Sequence, residues 1–161
     1  MKSLLLVRHA KSSWNFNVED FERPLNERGL RDAPEMAKRL LNKGIEVDTF
    51  VSSPANRALT TATFFAETYG QKQKNILVIP SLYEPSSVAF FNAIESLDDN
   101  YQTVALFSHN PGITEFANKL TATSIDDMPT CAIFAIKIET KKWGDFALSD
   151  RQFWFFDYPK A

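Results

Sequence analysis

The first apolar segment of the chain is short and runs directly into two basic side chains. Residues 4–7 are apolar without interruption, and Arg8 and His9 follow them. A continuous apolar run of this length is typical of a buried parallel strand, which delivers the residues after it to an open edge of a sheet. The pattern therefore predicts a first strand with Arg8 and His9 at its carboxyl end.

Strands and helices then alternate along the chain. Residues 12–22 have no apolar period and are predicted to form a loop over the strand end. Apolar residues at helical spacing predict a first helix from the cap residue Asn26 to Gly44, with its inner face formed by Leu30, Ala33, Ala37, Leu40 and Leu41. Ser53 and Pro54 are predicted to start the second helix, as capping hydroxyl and first helical residue. The other predicted strands are 48–52, 76–79 and 103–107, and further helices carry 90–97 and 113–120.

The last part of the chain has a different character. Residues 131–138 and 153–156 are predicted to be strands, antiparallel and near a sheet edge. Four strand–helix units followed by such strands predict an α/β protein, a three-layer α/β/α sandwich with a mainly parallel central sheet. A length of 161 residues with 44% apolar composition fits one domain over residues 1–161.

Composition narrows the classes of partner and compartment. A net charge of −2 gives no general attraction to nucleic acid or to an anionic membrane surface. No stretch approaches the roughly 18 apolar residues of a membrane span, and the start of the chain does not resemble a signal peptide, so we expect a cytoplasmic protein. Cys131 is the single cysteine and is expected in the core. With two histidines in the chain, a structural zinc site lacks ligands, and we expect no metal and no cofactor.

Reactive side chains follow the predicted strands at one edge of the sheet. His9, Arg57, Glu84 and His109 each come shortly after a strand, and ligands of open α/β sheets bind outside the carboxyl ends of the strands. With Arg8, this set has two arginines and two histidines. Guanidinium groups match phosphate oxygens, and helix starts supply further N–H donors. The residues therefore predict a phosphate pocket.

Each of these residues also has an ordinary structural explanation. Arg8 could pair with a carboxylate, His9 could be a hydrogen-bonded core histidine, and Arg57 could be a solvated residue of a helix's first turn. Glu84 could cap the next helix, and His109 could be a turn residue. The coincidence favours function, because both histidines of the chain stand at strand ends and arginines from two segments fall on the same edge.

Four segments carry a resemblance to a known family. Residues 8–14, 23–29, 52–58 and 108–112 resemble the histidine phosphatase superfamily, and within it the small SixA-like phosphohistidine phosphatase branch. The resemblance spans most of the chain in the family's order. Ala10 departs from the glycine of the superfamily's Arg-His-Gly motif, a change that the small branch tolerates. The resemblance implies a phosphoglycerate-mutase-like fold.

The resemblance also implies roles for individual residues. His9 corresponds to the nucleophile, Arg8 and Arg57 to phosphate clamps, and His109 to the second histidine of the pocket. Asn15 is similar to an asparagine that contacts phosphate in larger relatives. The proton donor is left open between Glu84, the nearest candidate, and two acids of the early loop, Glu19 and Asp20.

Together with these residues, the resemblance implies a metal-independent phosphatase that forms a phosphohistidine intermediate on His9 and removes phosphate from phosphohistidine on a protein partner, for example a signalling protein. Neutral His9 would attack while a backbone carbonyl holds its other ring nitrogen, and His109 is expected to be better charged. Two alternatives remain: a phosphatase of small phosphomonoesters, and a non-catalytic module that binds phosphate or a phosphoprotein. The expected partner is phosphate or the phosphorylated substrate, with no nucleic acid and no membrane, and the chain is expected to be a monomer.

Overall fold

A six-stranded sheet forms the centre of the molecule. The structure is a computed structural model and describes residues 1–14 and 17–160. Its strands are β1 (Lys2–Arg8), β2 (Thr49–Ser52), β3 (Leu77–Val78), β4 (Thr103–Ser108), β5 (Ile133–Ile138) and β6 (Arg151–Asp157). They lie in the order β3-β2-β4-β1-β5-β6; the first four strands pair in parallel, and β5 pairs antiparallel with both β1 and β6. The predicted mainly parallel sheet with an antiparallel edge is confirmed.

Helices cover both faces of this sheet. They are α1 (Glu27–Asn42), α2 (Asn56–Thr68), α3 (Ser87–Glu95) and α4 (Gly112–Leu120). Successive side chains of a strand point to opposite faces. Accordingly, Leu5 and Val7 of β1 pack in a core with α1 and α2, whereas Leu4 and Leu6 pack in a second core with α3 and α4. The predicted three-layer α/β/α sandwich is confirmed.

The strand register brings three strand ends together. Arg8 of β1 is opposite Ser108 of β4, and Ser52 of β2 is opposite Phe107 of β4. The pairing continues one residue further, because the backbone N–H groups of His9 and Ser53 donate to the carbonyls of Ser108 and Phe107 at 3.1 and 3.0 Å. His9, Ser53 and His109 therefore leave the sheet side by side.

Short 3₁₀-helices complete the edge around these strand ends. Asp20–Glu22 lies in the predicted loop after β1, and Pro80–Leu82 lies between β3 and α3. Two others, Gln73–Asn75 and Trp143–Leu148, lie elsewhere. Over the residues that the structure describes, no helix combines the length and the apolar character needed to cross a membrane.

Three details differ from the sequence predictions. Leu30 and Leu41 are 49% and 41% exposed, because the inner face of α1 is formed by the smaller Ala33 and Ala37 together with Met36 and Leu40. β3 pairs over two exposed residues instead of four, since it is an edge strand. The second helix begins at Asn56 with Ala55 as its N-cap, so Ser53 and Pro54 precede the helix. Cys131 is buried, as predicted.

Candidate active site

His9 is buried directly after β1 and has one ring nitrogen fixed by the backbone. It is 7% exposed, and its Nδ1 lies 2.7 Å from the carbonyl oxygen of Ala10. Because a carbonyl oxygen only accepts, Nδ1 carries the proton in the neutral ring and Nε2 keeps its lone pair. The Ala10 amide in turn donates to the Thr61 hydroxyl of α2 at 3.0 Å, which holds this peptide in place.

His109 packs beside His9 at the end of β4. The two ring centroids are 5.2 Å apart, and His109 is 4% exposed. Its Nε2 lies 2.7 Å from the hydroxyl of Ser53, the residue after β2. Its Nδ1 is buried and has no hydrogen-bond partner within residues 1–14 and 17–160. Three adjacent strand ends thus position two imidazoles and a hydroxyl.

Both imidazoles are held in the neutral form. Burial is the main cause that lowers the pKa of His9 to about 3, and the positive charges of Arg57 and Arg8 lower it further. Burial and then Arg57 lower the pKa of His109 to about 3. This agrees with the neutral His9 expected of a nucleophile. The expectation that His109 is charged is wrong for the free site, because desolvation beside two arginines disfavours a third positive charge.

Arg8 lies at the carboxyl end of β1 and is anchored by one end of its guanidinium group. Nη1 donates to the Met128 carbonyl at 2.8 Å and is 4.0 Å from the Asp127 carboxylate. Nε is buried and has no partner among the residues that the structure describes. Burial lowers the pKa of Arg8. Because the ordinary pKa of a guanidinium group is very high, Arg8 stays charged. One outer nitrogen of the Arg8 guanidinium group is therefore anchored, and its buried Nε–H remains as a donor for an anion.

Arg57 reaches the same edge from the first turn of α2. It is 6% exposed, its Nη1 donates to the Asp20 carbonyl at 2.7 Å, and its Nη2 donates to Asp20 Oδ2 at 3.1 Å. Its Nε is a further buried donor without a partner in the described part of the chain. Both outer nitrogens of this predicted phosphate clamp thus hold an acidic loop residue.

Asp20 is the centre of a hydrogen-bond cluster above the strand ends. Tyr83 Oη donates to Asp20 Oδ2 at 2.6 Å, and Arg23 Nε donates to Oδ1 at 3.1 Å. The Tyr83 hydrogen bond, followed by the charge of Arg57, lowers the pKa of Asp20 to about 2. An ionised carboxylate has no proton to give, so this environment does not suit Asp20 to the role of general acid.

The other candidate acids differ in position. Glu84 is exposed, adopts the left-handed backbone conformation with φ of 56°, and lines the cavity described below. Glu19 is exposed and does not line that cavity. Asn15, predicted to contact phosphate, lies outside the described residues. Of the three acids left open by the sequence, Glu84 combines access to the cavity with freedom from an arginine partner.

A cavity of about 470 Å³ opens over this edge. Asp20, Arg57, Tyr83, Glu84 and His109 contribute to its wall, as does the start of α4. Arg8 and His9 are not among its wall residues, but the ring of His9 lies beside that of the wall residue His109. Over residues 1–14 and 17–160, no group of three or more His, Cys, Asp or Glu side chains is arranged to hold a metal ion.

Several residues that complete this edge have no predicted role in the pocket. Ser53 was interpreted as a helix cap, and its hydroxyl indeed accepts from the Ala55 amide at 3.2 Å, but it also contacts His109. Its place directly after β2 is the signal that could have found it. Tyr83 holds Asp20 across 63 residues of chain, a contact for which the sequence carries no local pattern, whereas Arg23 holds Asp20 from only three residues away.

Comparison with known proteins identifies the family. Residues 4–86 match the model of the histidine phosphatase superfamily (branch 1). An uncharacterized chloroplastic protein of Arabidopsis thaliana is 30% identical over 163 residues, covering 95% of this chain and 74% of that protein. The chain therefore belongs to the histidine phosphatase superfamily, as its motifs predicted, and the match supports a phosphatase hydrolase as its enzyme class.

Solved structures share the fold. A structure from Agrobacterium tumefaciens assigned as the phosphohistidine phosphatase SixA has a TM-score of 0.82 at 23% identity and covers 98% of each chain. The protein histidine phosphatase SixA complexed with tungstate also has a TM-score of 0.82, at 19% identity, over 98% of this chain and 97% of that one. The predicted phosphoglycerate-mutase-like fold is confirmed. His109 lies beyond the matched residues 4–86, and the roles of the site residues stay predictions.

Proposed function

We propose that the protein is a metal-independent phosphatase of the small SixA-like branch that hydrolyses phosphohistidine on a partner protein through a phosphohistidine intermediate on His9. The observation that carries the proposal is the set of three buried nitrogens without partners in the described part of the chain: Arg8 Nε, Arg57 Nε and His109 Nδ1. Buried polar groups are ordinarily hydrogen-bonded. A phosphoryl group offers several acceptor oxygens and would satisfy such groups together.

The first step is an in-line displacement at phosphorus. His9 Nε2, free of a proton because Nδ1 is held by Ala10, forms the new N–P bond, and the bond from phosphorus to the leaving group breaks. Arg8, Arg57 and His109 hold the equatorial oxygens as charge redistributes. The negative charge of the phosphoryl group favours the protonated form of His109, which the free site disfavours.

In the second step, water attacks the phosphorus of phosphorylated His9 and loses a proton to the carboxylate of Glu84, which gave its proton to the leaving group in the first step. The N–P bond breaks, inorganic phosphate leaves, and His9 returns to its neutral form. The leaving group of the first step needs a proton, and Glu84 is the proposed donor because it lines the cavity. An imidazole leaves more readily than an alkoxide and asks less of the acid, so an exposed Glu84 suits a phosphohistidine substrate.

Trapping the intermediate tests the reaction. The protein is mixed with a phosphohistidine-carrying protein, quenched without acid and analysed by mass spectrometry. We expect a phosphoryl group on His9 and a loss of turnover of at least about 10³-fold in His9→Ala. Unchanged turnover in that variant, or turnover that strictly requires a divalent metal, would contradict the proposal.

A substrate panel tests the class of substrate. We expect a higher kcat/KM on phosphohistidine protein than on small phosphomonoesters, and the reverse order would favour the phosphomonoesterase alternative. Phosphate binding without turnover of any substrate would favour the binding module.

We further propose that residues 1–161 act as one domain, as a monomer in the cytoplasm. Both faces of the sheet are covered by cores within the chain, which supports the single domain and the monomer. Size-exclusion chromatography with light scattering and cell fractionation test the oligomeric state and the location.

A further inference from the structure

The mouth of the cavity over Arg57 is acidic. Glu84 and Glu115 both line it and are both exposed. Neither forms an ion pair within 4.0 Å with any residue that the structure describes. Asp20 differs, because Arg57 and Arg23 balance its charge. Two uncompensated carboxylates therefore stand at the entrance to the site.

The interior of the same cavity has the opposite character. Arg57 and His109 line it, are 6% and 4% exposed, and each has a buried nitrogen without a partner in the described residues, Nε and Nδ1 respectively. These unsatisfied groups mark the place of an anionic phosphoryl group. A ligand that is complementary to the whole cavity is therefore negative at its inner end and carries positive charge where it faces the mouth.

The two mouth carboxylates are held by the backbone. Glu84 adopts a left-handed conformation that residues other than glycine seldom take. A side chain at Gly112 would place its Cβ 2.5 Å from the carbonyl oxygen of Pro85, so this turn packs closely against the start of α4, where Glu115 lies. Backbone packing thus keeps the turn that carries Glu84 against the helix start that leads to Glu115.

We propose that this acidic mouth selects a phosphorylated protein segment that carries lysine or arginine side chains beside the phosphorylated residue. The proposal rests on the proposed function and specifies its partner. Basic side chains would meet Glu115, and would meet Glu84 during association, before Glu84 takes up the proton that it gives to the leaving group, while the phosphoryl group meets Arg57 and His109. A small dianion without basic neighbours would be repelled by the same two carboxylates. Charge patterns of this kind act mainly on the association rate and on specificity.

Peptides of opposite flanking charge test the proposal. Phosphohistidine peptides with lysine or with glutamate on both sides of the phosphorylated residue are compared by kcat/KM at low salt and at 0.5 M salt. Exposed ion pairs are individually weak, and two of them together predict a preference for the basic peptide of about twofold to thirtyfold. We expect salt to reduce the preference, because it screens exposed charges.

Matched variants assign the preference to the mouth. Glu115→Gln removes one mouth charge and is expected to reduce the preference about twofold or more. Glu67→Gln removes an equally exposed charge on α2, ten residues along the helix from Arg57 and outside the cavity wall, and is expected to leave it unchanged. Equal kcat/KM for the two peptides, or an equal effect of both variants, would overturn the proposal.

A binding measurement separates this proposal from the proposed function. Stable phosphoserine peptides with the same flanks are titrated against the full chain by fluorescence polarisation. Preferential binding of the basic peptide without turnover of any phosphohistidine substrate would support the acidic mouth and contradict the phosphatase. Turnover of a phosphohistidine substrate with equal binding of both peptides would support the phosphatase and contradict the acidic mouth.

Discussion

The two sides of the candidate site are built in different ways. The strand-end side consists of Arg8, His9 and His109, which directly follow or end strands of the sheet, and its two histidines are less than a tenth exposed. The loop side consists of Asp20, Tyr83 and Glu84, which come from two 3₁₀-helical segments and their flanks; the Asp20 side chain is 47% exposed. One side is fixed by strand pairing, and the other by side-chain hydrogen bonds.

This difference separates the tasks of the site. Phosphoryl transfer requires a nucleophile and charge-stabilising groups in a fixed geometry, which the ladder between β1 and β4 supplies. Selection of substrate and delivery of a proton depend on groups at the entrance, which the loops supply. Changes on the strand-end side should therefore affect chemistry strongly, and changes on the loop side should shift binding and specificity by smaller factors.

The largest expected effect is on the strand-end side. In His109→Gln, the buried group proposed to hold a phosphoryl oxygen loses its ability to become charged. We expect kcat/KM on phosphohistidine substrates to fall about 10²–10³-fold, the range for the loss of one stabilising donor. Steady-state kinetics measure it, and unchanged thermal unfolding at pH 8 would show that the fold is retained. A loss below about threefold would contradict the assignment of charge stabilisation to this side.

Acid should destabilise the protein through the same two histidines. Their folded-state pKa values of about 3 lie below the ordinary value of 6.5, so the unfolded chain binds more protons between these limits. The stability is therefore fully present above pH 6.5 and decreases as the pH falls towards 3. Between pH 7 and 5 each histidine should account for up to about 2 kcal/mol of the free energy of unfolding.

Denaturant unfolding at pH 5 and 7 measures this loss of stability, and a histidine variant shows how much of the loss each histidine causes. The chain has two histidines, so His109→Gln should remove about half of the histidine contribution. A wild-type unfolding free energy that does not change between these two pH values would show that the strand-end side is more solvated than its packing indicates.

The strand-end side was predictable from sequence, and the loop side was only partly so. An apolar run followed by Arg8 and His9 indicates both a buried strand and its exit, and parallel pairing brings His109 to the same edge. Asp20 was named as an acid, but its bond to Arg57 depends on contacts across 37 residues of chain, which no local spacing encodes. Ser53 is a second example. A residue directly after a strand can cap the next helix or belong to the site, and the sequence pattern is the same in both cases.

A glycine connects the two sides and provides a smaller test. Gly112 opens α4 after His109, and a Cβ there would lie 2.5 Å from the carbonyl oxygen of Pro85, next to Glu84. Gly112→Ala should lower the free energy of unfolding by about 1–3 kcal/mol, because backbone must move to admit the methyl group. Denaturant unfolding measures the change. Gly144→Ala, where nothing lies within 4 Å, is the matched control and should change stability by less than about 0.5 kcal/mol. Equal effects of the two substitutions would show that the turn at Pro85 moves to admit the methyl group without a loss of stability.

The smallest expected effect concerns the contact that joins the sides, between Asp20 and Arg57. Asp20 holds both outer nitrogens of Arg57, one through its carbonyl and one through its carboxylate, so a phosphoryl oxygen must compete with the carboxylate. Asp20→Asn keeps the side-chain shape and removes the charge. We expect inorganic phosphate to inhibit several-fold more tightly, with kcat changed by less than about tenfold because an ionised Asp20 is not the proton donor. Inhibition kinetics at pH 7 measure both quantities, with Tyr83→Phe as the control that removes a hydrogen bond to Asp20 but keeps its charge. Weaker inhibition by phosphate in Asp20→Asn would mean that the carboxylate orients Arg57 for the substrate, and the loop side would then share the task of the strand ends.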